Sequence, residues 1–317
     1  MPWFIGIDEA GYGPNLGPLV QTAVGLHVPQ VEHLCDFWKL LRPGVRKFRG
    51  KADGRIIIDD SKKVYGQGQS LKRLEFGVLA ALGLEASPTA GELLARIAAP
   101  SLPELCVEPW YDGNTGLPLE NDATELLAAR QLFQSACEAA SVGALWVRSR
   151  VTPAPLFNAM LEQLDNKASV LAHGVCWLLS ETRDPDAGDE PVYWTVDRLG
   201  GKKYHAALIQ SVCPESFPET IEETDRRCSY RMNGQRWRHW SFEVEADSRH
   251  FTVALASMVS KYLRELLMHQ FNRFWLNHIP DLAFTAGYYG DAGRFYAEIR
   301  PAMEKLGIAK DLVWRRR

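Results

Sequence analysis

No two of the six cysteines form a Cys-x-x-Cys pair; Cys35, Cys106, Cys137, Cys176, Cys213 and Cys228 stand far apart. That spacing argues against a disulfide frame or a zinc site and suits reduced thiols in a cytoplasmic protein. No apolar run is long enough to span a bilayer. The N-terminus lacks a basic segment ahead of an apolar one, so neither membrane insertion nor a signal peptide is expected. A surplus of charge is missing too. The formal net charge of −3 argues against coating nucleic acid by bulk electrostatics, although a local basic groove stays open because a field depends on where the charges sit. None of the eight histidines falls in a metal-binding spacing, and there are no internal repeats or low-complexity segments. What is there is the composition of a globular protein, 46% hydrophobic and 24% charged over 317 residues, enough to bury a substantial core. Nothing requires more than a monomer.

Apolar strands alternate with helices along the chain. Trp3 to Ile7 and Pro18 to Val28 read as strands joined by a Gly/Pro/Asn turn. Ala144 to Val151 alternates apolar and basic residues like a half-exposed strand, and "PVYWTV" and "SFEVEA" read as two more. Helices are expected over 78–86, 91–98, 121–140 (capped by Asn121 or Asp122), 155–180 and about 249–274, with a final one after "AGYYGDAGRFY". Residues 100–119 read as an irregular loop rich in Pro and Gly. The pattern is that of an α/β domain.

Three of these strands end in acids: Asp8 and Glu9 after "FIGI", Asp197 after "YWTV", and Asp247 after "SFEVEA". In α/β sheets, sites form where strand ends converge. Four carboxylates gathered there repel one another at neutral pH, and hard cations such as Mg²⁺ or Mn²⁺ remove that penalty. Two such ions roughly 3.5–4 Å apart are a common device for in-line attack on a phosphodiester. Successive strand residues point to opposite faces, so Asp8 and Glu9 share a site only if the chain bends; Gly11, Gly13 and Gly17 follow directly and permit it. Simpler readings stand beside this one. Asp247 precedes a helix and is a natural cap, Asp197 alone is an ordinary strand-end residue, and Asp59 and Asp60 fit a solvated turn.

The quoted motifs resemble those of type 2 ribonucleases H (ribonucleases HII and HIII). "GIDEAGYGPNLGPLVQTAV" is similar to the family's opening motif, "DDSKKV" at Asp59–Val64 to its DSKKL segment, and "YWTVD" to the strand bearing its third acid. "EADSRHFTVALASMVSKYLREL" resembles the segment with the fourth acid and the following helix, and "AGYYGDAG" its GYPTKEH loop. The resemblance implies a ribonuclease H-like α/β fold over residues 1–317, with a central mixed five-stranded sheet flanked by helices, a C-terminal helical extension, and a family-atypical insertion at 76–142. It implies an endoribonuclease acting on RNA–DNA hybrids, or on ribonucleotides embedded in duplex DNA, and leaving 5′-phosphate and 3′-hydroxyl ends. Asp8, Glu9, Asp197 and Asp247 match the metal-binding acids of the family, for two Mg²⁺ or Mn²⁺ ions. Gly11 and Gly13, with Tyr12 between them, match the turn that recognises the ribose 2′-hydroxyl. Ser61, Lys62 and Lys63 match a phosphate-side segment, and Tyr288 a tyrosine packed on the nucleotide beyond the ribonucleotide.

The chain also departs from the family. Tyr12 replaces the usual Arg or Lys, the GYPTKEH loop has lost its Pro, Thr and Lys, and Arg198 follows the third acid in place of Gly. "FIGIDEAG" bears a fainter likeness to sugar-kinase-like ATPases, but no DxGG phosphate loop follows. It also resembles the start of Holliday-junction resolvases, which lack the DSKK segment and the GY loop. A rival of a different class is a non-catalytic nucleic-acid-binding protein that keeps the fold; four surviving acids weigh against it. The Arg42–Arg55 loop and "DRRCSYRMNGQRWRHW" (Asp225–Trp240) are basic-aromatic candidates for a nucleic-acid groove, with solvated loops as the plain alternative. Arg198, Lys202, Lys203 and Arg315–Arg317 are weighed the same way, and His250 reads as structural.

Overall fold

The computed structural model describes residues 1–29, 36–49, 53–66, 70–84, 87–183, 189–200, 202–215, 217–232 and 237–316. Strand β1 (Trp3–Ala10) is buried from Trp3 to Asp8, as a strand covered on both faces must be. Besides a two-residue pair, Val45–Arg46 with Ile56–Ile57, the strands that follow are β2 (Leu19–His27), β3 (Ala144–Thr152), β4 (Val192–Asp197), β5 (Glu219–Glu223), β6 (Arg227–Met232) and β7 (Arg238–Glu243). They form one mixed sheet in the order β3-β2-β1-β4-β7-β6-β5. β4 runs parallel to both β1 and β7, and every other neighbouring pair is antiparallel.

Five strands are expected from the sequence, and the sheet has seven; β5 and β6 are the additions. Charge hides them. Arg231 pairs with Glu219 at 2.6 Å and Arg227 with Glu222 at 3.9 Å across the two strands, so residues that read as a basic loop are cross-strand partners. A charged outer strand also blunts the sheet edge. Within the proposed groove at Asp225–Trp240, Arg227–Met232 and Arg238–Trp240 are therefore strand, and residues 233–236 lie outside the described residues.

The helices that matter for the site are α1 (Ser61–Tyr65), α2 (Lys72–Leu82), α3 (Ala123–Ala139), α4 (Ala154–Leu164), α5 (Lys167–Glu181), α6 (Phe251–His278) and α7 (Tyr289–Leu306). Asp122 caps α3 by accepting from the Thr124 and Glu125 N–H groups. The helix expected over 155–180 is two helices. Asp165 takes the left-handed region at φ 63°, and Asn166 caps α5 by accepting from Ser169 N at 2.8 Å.

The strand period of two sorts β1 between two cores. Phe4, with Val20 and Val24 of β2, packs with α2, α3 and α6; Ile5 and Ile7 pack with α4 and α5 on the other face. The first ten residues of α6 are all buried. They approach β1 so closely that a Cβ on Gly6 would stand 2.3 Å from the Thr252 carbonyl carbon and the Val253 nitrogen. Residues 76–142 share the first core through Leu79, Leu93, Ile97 and Phe133. They are pinned by buried Glu75, which accepts from Leu119 N (2.7 Å), Glu120 N (2.9 Å) and Tyr262 Oη (3.1 Å). The C-terminal helix α7 lays Phe295, Ile299 and Met303 against Phe271 and Trp275 of α6. Among the described residues no helix is long and apolar enough to cross a membrane.

Candidate active site

Parallel register brings the first two acids together. Ile7 of β1 pairs with Val196 of β4, so one step further Asp8 and Asp197 stand side by side. The ladder to β4 stops there, while β1 keeps pairing with β2 as far as Ala10. The strand thus runs on past Glu9 before the glycines, and Glu9 reaches the cleft where the ladder to β4 has ended, not by way of the expected bend. Asp197 pairs with Glu243 at the end of β7, and a short 3₁₀ turn at Ala246–Ser248 then delivers Asp247. Ala246 N–H donates to Asp197 Oδ1 at 2.8 Å and ties that turn to β4. Asp247 is not the cap of α6: the helix starts at Phe251, and its N-cap residue His250 makes no capping bond.

Asp8, Glu9, Asp197 and Asp247 line one cleft of about 740 Å³, together with Gly11, Ser61, Lys62, Lys63, Arg198 and Tyr288. Its electrostatics are those of crowded anions. Burial, then the charges of Glu9 and Asp197, push the Asp8 carboxyl well above the usual range, and a Ser257 hydrogen bond only partly opposes this. Burial and then Asp197 raise Glu9 to about 7. Burial, then Asp60 and Asp197, raise Asp247 to about 6. Asp197 is also raised by burial, against the Ala246 N–H and Lys62. The Lys62 ammonium favours the charged forms of Glu9, Asp197 and Asp247 alike, which places its charge among them. Strong shifts from burial and like charge, gathered in a cleft, are what functional acids show.

The donor set is all hard oxygen, which fits Mg²⁺ or Mn²⁺ and not a soft metal. Among the described residues, however, no three His, Cys, Asp or Glu side chains close into a ready cage. The acids line an open cleft.

The other predicted residues divide. Ser61 is buried, with its Oγ 3.0 Å from Ser257 Oγ. Lys63 lies 3.9 Å from Asp59 and 3.7 Å from Asp60. Gly11 takes φ +87°, and a Cβ there would stand 2.5 Å from the Pro18 oxygen, so only glycine fits. Gly13 faces open space, and Tyr12 leans on the core beneath the α4–α5 face of the sheet; neither is on the cleft wall. Tyr288 is 50% exposed and stands over the Arg264 guanidinium at 5.5 Å.

Two groups escape a reading of the sequence. Asp60 reads as a turn residue, yet it accepts from Lys62 N at 2.9 Å, lines the cleft and raises Asp247; its place as the first residue of the DSKK match was the available signal. Arg315 reads as an exposed cation of the "WRRR" tail but is fully buried. It donates to the Gly11 carbonyl at 2.6 Å and to the Pro14 carbonyl, while its main chain bonds Asn15. The tail therefore clamps the glycine turn from below. Arg316 pairs with Asp311 and Glu162, and Arg317 lies outside the described residues. Lys203 pairs with Asp225 at 3.4 Å, Arg198 donates to the Lys202 carbonyl at 3.1 Å, and His250 Nε2 lies 3.0 Å from Glu243.

Several solved structures are similar to the chain. The chain is similar in structure to type 2 ribonucleases H. It covers 99% of its own length and 94% of the ribonuclease HII in a PCNA complex from Archaeoglobus fulgidus, at 15% identity and TM-score 0.47. It covers 99% of itself and 65% of Bst ribonuclease HIII in complex with Mn²⁺, at 16% identity and TM-score 0.44. For ribonuclease H2 from Pyrococcus horikoshii OT3 the coverage is 98% and 92%, at 14% identity and TM-score 0.42. No protein-family profile and no curated protein sequence matches the chain. What the protein does has to come from its own side chains.

Proposed function

We propose that the protein is a divalent-metal-dependent endonuclease. Its substrate is the RNA strand of RNA–DNA hybrids, or ribonucleotides embedded in duplex DNA, and its products carry 5′-phosphate and 3′-hydroxyl ends. The observation that carries this reading is the single cleft in which Asp8, Glu9, Asp197 and Asp247 crowd together, all four with raised carboxyl pKa values. Burying anions against one another is costly unless cations join them. Mg²⁺ is commonly held by one or two carboxylates plus water and substrate phosphate, so an open set of acids suits it better than a closed cage. The four acids would hold the ions, which when bound make water a better nucleophile at neutral pH and stabilise the departing oxygen.

The chain's own groups do the rest. Lys62 supplies positive charge among the acids, and with Ser61 and Lys63 it faces the phosphate backbone. Gly11 offers main chain with no side chain in the way, which permits close approach to a ribose 2′-hydroxyl, the group that separates RNA from DNA. Arg315 holds the Gly11 carbonyl and so fixes that turn. The half-exposed ring of Tyr288 gives a flat surface for a sugar or base.

The test uses three labelled duplexes: an RNA–DNA hybrid, DNA with one embedded ribonucleotide, and all-DNA, each in Mg²⁺ and then Mn²⁺. Cleavage should occur at ribonucleotides only and fall by about 10³-fold or more in Asp8→Asn, the scale of several kcal/mol that a metal contributes. Binding without cleavage in either metal would leave the non-catalytic reading in its place.

A further inference from the structure

A second cleft of about 710 Å³ lies between the basic residues of 42–49 and 53–55 on one side and helices α2 and α3 on the other. Its size is within the roughly 300–1,000 Å³ typical of small-ligand sites. Arg46, Arg55, Lys72 and Arg73 bring four positive charges to its wall, Glu125 brings one negative charge, and Phe48 and Phe76 supply two aromatic rings. Asp53 answers two of the guanidiniums at once, Arg46 at 3.2 Å and Arg55 at 2.6 Å. Phe48 is 37% exposed, and the Arg73 guanidinium lies over its ring at 5.2 Å. A large ring left in water beside stacked arginine is a ready platform for a flat, anionic partner.

The same loop reaches the carboxylate cleft. Lys47 Nζ donates to the Ser248 carbonyl at 2.9 Å, next to Asp247, and Phe48 N–H donates to Asp59 Oδ2 at 3.1 Å. Lys47 thus touches the first cleft while its neighbour Phe48 lines the second.

We propose that this second cleft binds unpaired nucleotides of a strand whose duplex portion lies in the first, with a base stacked on Phe48 and phosphate held by Lys72 and Arg73. The choice of occupant rests on the nuclease reading; the chemistry of the cleft does not. Stacking on an aromatic ring accepts any base, and cations track the backbone, so recognition of single strand without sequence preference follows. The segment around residues 76–142, whose helices form one wall, would then serve to grip single strand beside the duplex.

Fluorescence anisotropy in EDTA tests this without any cleavage step. The full-length protein is titrated with an RNA–DNA hybrid that is blunt, or that carries a six-nucleotide single-stranded DNA tail at one end or the other. One of the tails should tighten binding about tenfold. That gain should vanish in Phe48→Ala and Arg73→Gln and persist in Phe48→Tyr, with thermal melts confirming that each variant folds. Equal binding of blunt and tailed hybrids, or a tail advantage that survives Phe48→Ala, overturns the proposal. AMP as competitor separates two sources of the same chemistry. If AMP abolishes the tail advantage and leaves blunt binding intact, the cleft recognises a nucleotide as such; if it has no effect, a connected strand is required. Displacement of blunt and tailed hybrids alike would put the tail in the first cleft and overturn the proposal. Hybrids cut normally without a tail effect would sink this inference alone, and tails gripped without cleavage would sink only the nuclease reading.

Discussion

Two of the places where the described residues bury charge handle it in opposite ways. At the strand ends, acids face acids: Glu9 and Asp197 raise Asp8, and Asp60 and Asp197 raise Asp247. Beneath the glycine turn, arginines face carbonyls: Arg315 donates to Gly11 and Pro14, and Arg264 donates to Ala286 at 2.7 Å. Burial, then the field of Arg264, pulls Arg315 down only to about 9, so it stays charged at neutral pH. Arg315 Nη1 and Arg264 Nε are left without a partner among the described atoms, yet each guanidinium is anchored by carbonyls; charge anchored in this way holds a fold together, whereas acids that face chiefly one another are kept for something that arrives later.

The largest stability effect should come from the side where buried charge is anchored by carbonyls. Arg315→Met leaves the Gly11 and Pro14 carbonyls without that donor and should cost about 2 kcal/mol in urea unfolding. It should also reduce the preference for ribonucleotide over all-DNA substrate, because the turn that carries Gly11 loses its clamp. Unchanged stability would break the comparison. On the crowded side the sign reverses: Asp8→Asn, measured in EDTA, should stabilise by about 1 kcal/mol because it relieves repulsion among the acids. Adding Mg²⁺ should then stabilise the unaltered protein more than the variant, since a ligand stabilises the state that binds it. A destabilised Asp8→Asn protein in EDTA would mean the acids are not under strain.

The smallest effect concerns a buried group that belongs to neither place. His205 is buried and stacked on Phe242 at 4.0 Å. Burial, then Lys202 and Arg198, hold its imidazole down to about 4 against an ordinary 6.5. Its folded pKa lies below the unfolded one, so the stability it contributes is present above pH 6.5 and is lost as pH falls towards 4. His205→Phe should flatten the acid limb of the melting curve across that window and leave the neutral plateau almost unmoved. An acid limb as steep as before would place the titration elsewhere.

Much of the site was legible because its signals are local. An apolar strand that ends in an acid can be read three times along the chain, and Gly11 announces a turn that another side chain could not make. The buried start of α6 is readable from its unbroken apolar face. Harder to read were β5 and β6, whose arginines and glutamates look like solvated loop until a neighbouring strand pairs them. Asp165, which divides α4 from α5, offered little warning, since its left-handed backbone is a local choice only the packed helices make visible.

The sequence by itself determined which acids exist and that strand ends would carry them, because hydrophobic period and turn chemistry act over a few residues. Only the tertiary structure decided that Asp8 and Asp197 stand side by side, that Lys62 and Asp60 join them, and that the last turns of the chain seal Gly11 from below. Those facts depend on register and on contacts between residues as far apart as Gly11 and Arg315, and no local pattern encodes a partner so distant along the chain.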